Sequence, residues 1–69
     1  MNYTDVKISL KACRANADLS IMEFAKKVGV SANTISNWES GKSEPPLSKL
    51  RIISKISGVP LDFIFLNDD

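Results

Sequence analysis

Apolar residues recur every three or four positions along this 69-residue chain, in short blocks that each stop at a glycine, a proline or an Asn/Asp cluster. That period is the signature of amphipathic helices. Val6, Leu10, Cys13 and Ala17 predict a first helix over about residues 5–17. Thr4 or Asp5 is placed to cap its start. Asn16-Ala17-Asp18 ends it, since Asn and Asp enter a left-handed turn at lower cost than other non-glycine residues.

Local chemistry marks the next two helices closely. Ser20 with Glu23 three residues on is a capping-box pattern, and Leu19 before the cap pairs with Phe24 as a hydrophobic staple. The second helix is therefore expected over 21–28, stopped by Gly29. Ser31 caps a third helix at once, and Gly41 ends it. Only Gly29-Val30-Ser31 separates the two, which forces them to cross at a large angle as a helix-turn-helix over about 20–40.

A stiff loop, Lys42 to Pro46, follows. A fourth helix over 47–57 is expected to turn Leu47, Leu50 and Ile53 inward and to stop at Gly58. Pro60 then opens a short fifth helix through Leu61 and Ile64, with Asp62 in its first turn. No strand, repeat or linker is expected. The chain reads as one all-α domain, 1–69, of five short helices around a core drawn from 6–65.

Composition narrows the chemistry. Nine Lys and Arg against eight Asp and Glu give a formal net charge of +1, and there is no histidine. With no histidine and a single cysteine, Cys13, neither a disulfide nor a metal cluster is expected, and the commonest general base is missing. Cys13 lies at i+3 from Leu10 on the apolar face and is read as a core residue. No cofactor, metal or small-molecule ligand is expected, and no enzyme activity. No apolar run is long enough to span a membrane, and the start MNYTDVK lacks the pattern of a signal peptide. A cytoplasmic, nucleoid-associated protein is expected.

The third helix poses the functional question. Ile35 and Trp38 fall on one side, so Trp38 is read as sealing the core. The other side carries Ala32, Asn33, Ser36, Asn37 and Ser40. Asn and Ser are poorer helix formers than Lys, Glu or Gln, so stability alone does not select them. A major groove does: Asn pairs with adenine N6 and N7 together, Ser donates or accepts, and Ala touches a thymine methyl. Ser31, at the positive end of this helix, is suited to a phosphate.

The chain at this point resembles the small DNA-binding domains of the Cro/repressor (XRE) helix-turn-helix family. The resemblance is carried by Leu19-Ser20, Glu23-Phe24-Ala25, Gly29-Val30-Ser31, Thr34-Ile35-Ser36, Trp38-Glu39, Gly41-Lys42, Pro45, Leu47, Leu50, Ile53, Gly58-Val59 and Leu61-Asp62. It implies a compact five-helix, lambda-repressor-like fold. It also implies a recognition helix over 31–40 whose Ala32, Asn33, Ser36 and Asn37 reach base edges. By the same resemblance, side chains and N–H groups of Lys42 and Ser43 hold phosphates, and Arg14 pairs with Glu39 to lock helix one to helix three. Members usually carry Gln at the position of Ile21, Gly at that of Asp18, and a basic or amide residue at that of Ala32. Without the Gln, a phosphate at the second helix falls to the backbone N–H groups of Ser20 and Ile21, and modest affinity per half-site is expected.

Lys42 leads the candidate cations, followed by Lys27, Lys49 and Lys11, with Lys26, Arg51 and Lys55 read as solvated. Ile52 and Ile56 stand where members often have polar or small residues. With Phe63, Phe65 and Leu66 they form a candidate homodimer surface. The expected partner is double-stranded DNA with a palindromic operator, its half-sites one helical turn, about 34 Å, apart. The expected role is that of a small bacterial or phage repressor. The rival reading is a helix-turn-helix used as a protein-interaction module, such as an antitoxin or anti-repressor partner.

Overall fold

The computed structural model describes residues 7–65, with the backbone alone described at Phe65. Four α-helices form the body: α1 (Leu10–Asn16), α2 (Ile21–Val28), α3 (Ala32–Ser40) and α4 (Leu47–Ser57). A single 3₁₀ turn, Leu61–Phe63, follows α4. Two very short strands, β1 (Ile8–Ser9) and β2 (Ile64–Phe65), pair in parallel with Ile8 opposite Ile64 and Ser9 opposite Phe65.

The all-α architecture stands, but its two ends differ from expectation. α1 starts at Leu10, because Ser9 is its cap: the Ser9 hydroxyl accepts from the N–H of Ala12 at 3.1 Å. Ile8 is drawn instead into the ladder with Ile64. Thr4, Asp5 and Val6 lie outside the described residues. The fifth helix shortens to one turn for the same reason, since Ile64 and Phe65 extend to pair with β1, as β-branched and aromatic residues do readily.

Helix ends are set by local hydrogen bonds. At the C-terminus of α1, Leu19 N–H reaches the carbonyl of Arg14 (3.2 Å) and Asp18 N–H that of Ala15 (3.0 Å). This Schellman pair places Asp18 in the left-handed region, φ 58°, the only described non-glycine residue there. Gly29 ends α2 at φ 89°, with Gly29 and Val30 N–H both donating to the carbonyl of Ala25. A side chain at Gly29 would be strained, so the tight turn into α3 depends on this residue.

The core consists of Leu10, Cys13, Phe24, Ala25, Val28, Ile35, Trp38, Ile53 and Val59, with Leu19, Ile21, Val30 and Leu50 packed at its edge. α2 lies on α3 and α4, and α1 bridges α3 and α4. Leu47 does not turn inward and is 54% exposed. It is offset by about a third of a turn from Ile53, the residue that α4 buries fully. Ser57 takes a core position instead. Its hydroxyl donates to the carbonyl of Ile53 (2.8 Å) and accepts from Val59 N–H (3.3 Å), so a buried polar group is satisfied.

Candidate nucleic-acid interface

α3 is held from below and bare above. Ile35 and Trp38 are buried, Trp38 at 7% exposure, so the indole closes the core as expected and offers no face for stacking. Asn33, Ser36 and Ser40 are exposed on the opposite side, with Asn37 half-exposed beside them. Ala32 is half-buried and packs against the core edge. Three of the four expected base-reading residues therefore share one outward face, and Ala32 borders it. Ser40 joins that face, its hydroxyl donating to the Asn37 carbonyl at 3.2 Å. Its place was visible from helical spacing alone. No charged side chain stands on this face, and the surface is one of short hydrogen-bonding groups.

The helix start is well formed. The Ser31 hydroxyl accepts from Thr34 N–H at 3.1 Å and lies 2.9 Å from the Thr34 hydroxyl. No acidic residue occupies the first turn of α3, which leaves its positive end available to an anion.

The orientation of α3 is fixed by Arg14. Its Nε donates to Glu39 Oε2 at 2.8 Å, its Nη2 to Glu39 Oε1 at 3.3 Å, and its Nη1 to the carbonyl of Leu19 at 3.1 Å. The two side chains are 15% and 10% exposed. Hydrogen bonding to Glu39 holds the guanidinium above its ordinary pKa. One side chain thus ties α1, the α1–α2 turn and α3 together, and it is engaged inward rather than toward a phosphate.

The expected phosphate contacts divide. At the N-terminus of α2 the capping box is complete: Ser20 N–H donates to Glu23 Oε1 (2.8 Å), and Glu23 N–H donates to the Ser20 hydroxyl (3.1 Å). The Ser20 N–H is therefore already occupied, and a carboxylate stands where the phosphate was expected. The hydrogen bond from the Ser20 backbone pulls the Glu23 pKa below its ordinary value. Ile21 lays its side chain on the core edge. After α3, Lys42 and Ser43 are both exposed, but their N–H groups point back to the Asn37 carbonyl at 2.9 and 3.4 Å. Only their side chains face solvent. Lys49 turns its Nζ to the carbonyl of Val28 (3.5 Å), at the negative end of α2, a tertiary contact that sequence spacing does not disclose. Lys11, Lys26, Lys27, Arg51 and Lys55 are exposed.

The candidate dimer surface is only partly free. Ile56 and Phe63 pack against the core, Ile52 is half-buried, and the Phe65 side chain and Leu66 lie outside the described side chains. Among the described residues Met22, 76% exposed, and Leu47 are the large apolar side chains open to solvent; the sequence pattern does not single out Met22 and turns Leu47 inward. Cys13 is fully buried, and burial raises its thiol pKa against the opposing hydrogen bond with Ser57. No three His, Cys, Asp or Glu among the described residues are grouped to hold a metal. No described helix is long and apolar enough to cross a membrane.

Two helices joined by a three-residue turn, the second offering an uncharged polar face, define a helix-turn-helix domain. The helix-turn-helix family model HTH_3 matches residues 10–64, and the chain belongs to that XRE-type family. It is 41% identical over 64 residues to an uncharacterized HTH-type transcriptional regulator of Methanocaldococcus jannaschii, covering 93% of this chain and 97% of that protein. It is 36% identical over 55 residues to the SPbeta prophage-derived uncharacterized HTH-type transcriptional regulator YonR of Bacillus subtilis, covering 80% of this chain and 51% of YonR. It is 33% identical over 60 residues to the HTH-type transcriptional activator BcrR of Enterococcus faecalis, covering 87% of this chain but 29% of BcrR. The chain therefore spans nearly all of the Methanocaldococcus relative, about half of YonR and under a third of BcrR. No solved structure matches significantly.

Proposed function

We propose that this protein is a DNA-binding transcription regulator that reads the major groove of a palindromic operator as a homodimer. The observation that carries the reading is the outward face of α3: Asn33, Ser36 and Asn37, short and uncharged, on a helix locked beneath by Trp38 and the Arg14–Glu39 pair. Asn33 and Asn37 pair with adenines, Ser36 reads between them, and Ala32 at the border touches a thymine methyl. Phosphates are held by the Lys42 and Ser43 side chains, by the Ser31 end of α3 and by the remaining free N–H at Ile21. The Ser20 contact reduces to its hydroxyl.

So few backbone contacts per copy make single-site binding weak, and pairing of two copies restores useful affinity. The proposed dimer surface rests on Ile52 of α4 with Ile56 and Phe63, and takes in Phe65 and Leu66 from the sequence that follows. Repression follows from occupancy alone, since a dimer lying across a promoter blocks polymerase without further contacts. The interaction-module reading has support in the exposed Leu47 and Met22 and in the closed N-terminus of α2.

A binding selection from random duplex DNA separates the two readings. We expect an enriched palindrome with half-sites about one turn apart. Asn33→Ala should cost about 1–3 kcal/mol and relax the sequence at its own position only. Ile52→Asp should leave single half-sites without the palindrome. An unenriched pool would refute DNA reading by this face.

A further inference from the structure

We infer that Glu23 and Glu44 are phosphate-repelling residues that weaken sequence-independent attachment of this protein to DNA. The inference rests on the DNA-binding reading above and concerns the two approaches to the groove on either side of α3. When a recognition helix lies in the major groove, the helix before it crosses the sugar-phosphate backbone. The loop after it leaves the groove toward the backbone as well. In this protein each of those approaches carries a carboxylate.

The Glu23 carboxylate is held over the first turn of α2 by a hydrogen bond from the Ser20 N–H. Like any exposed carboxylate it is ionised at neutral pH. Glu44 stands one residue past Ser43, exposed, with no hydrogen bond or ion pair to any described residue. The buried Pro45 that follows favours extended backbone at Glu44, and the Glu44 side chain is exposed. Lys27 lies one turn after Glu23 and Lys42 two residues before Glu44. Each carboxylate therefore offsets one cation of its own segment, although α2 also carries Lys26. Binding to arbitrary DNA depends almost wholly on phosphate attraction. Opposing that attraction leaves occupancy to the base contacts of α3 and to the pairing of two copies.

The test compares the protein with Glu23→Gln/Glu44→Gln on a random-sequence duplex. Gln at the third helical position still completes a capping box, so the first change removes charge without removing the cap. Asp62→Asn is the control, because it removes one negative charge, against two in the double variant, from the exposed 3₁₀ turn after α4. The double variant should bind about three- to tenfold tighter at about 50 mM salt, and the gain should fade toward about 0.5 M as screening shortens the reach of charge. Asp62→Asn should bind like the parent. Equal affinity of parent and double variant overturns the inference, as does tightening by Asp62→Asn that is as large per charge removed, which would make net charge rather than placement the cause. If neither parent nor double variant binds any duplex at low salt, the DNA-binding reading fails together with it.

Discussion

Replacing Arg14 with Met keeps the aliphatic stem and removes the guanidinium that joins three segments. The pair it breaks is two-pronged, with a third bond to the Leu19 carbonyl, and both side chains are mostly covered. Exposed ion pairs contribute about 0–1 kcal/mol, whereas removing one partner of a buried pair costs about 3–5 kcal/mol. Coverage here is nearly complete but not total, which places Arg14→Met at about 2–4 kcal/mol. In a domain of this size each kcal/mol moves Tm by about 4–8 °C, so a fall of about 8–32 °C is expected. Much of that cost is the Glu39 carboxylate left in a covered site without its guanidinium. Arg14→Met/Glu39→Met should therefore cost less than the sum of its two single changes, by about 1.5–3 kcal/mol. Thermal and urea unfolding of the four proteins of the cycle give the coupling directly. Single changes costing under about 0.5 kcal/mol, or costs that simply add, would show a surface pair and refute the locking role.

Two further outcomes follow from helix ends. Asp18→Gly relieves a left-handed residue at the end of α1 and should raise stability by about 0.5–1 kcal/mol, net of the added freedom of the unfolded chain, as thermal unfolding would register. Glu23 has a folded pKa below its ordinary 4.5. Its contribution is fully present above that value and is lost as pH falls through the lowered folded value. Stability measured downward from pH 4.5 should therefore fall more steeply in the parent than in Glu23→Gln, and parallel curves would count against the capping role.

The middle of the chain was legible because its signals are local. Ser20 with Glu23, Gly29, Ser31 and Gly41 each fix backbone within one turn of themselves, and the structure realises every one of them. The outward face of α3 followed from spacing for the same reason. The ends were not legible, because a tertiary event decides them. Ser9 prevails as the cap of α1 because Ile8 pairs with Ile64, and that pairing also converts the end of the fifth helix into a strand. Lys49 illustrates the same limit at the site: a lysine bound to the end of α2 and a lysine bound to a phosphate look identical in sequence. Asn16 is another case, its amide donating at 2.8 Å to the Ser57 carbonyl on α4.

The ladder between β1 and β2 also sets how the domain carries load. Because the two strands run parallel, the flanking chain leaves β1 and β2 at opposite ends of the ladder. Tension applied across those flanks slides the strands past one another, so their backbone bonds are strained together rather than peeled one at a time. With only two residues per strand that clamp is small, and it yields first. α2 and α3 lie wholly between the strands in sequence, so a pull on the flanks bears on the Ile8–Ile64 pairing before it reaches α3.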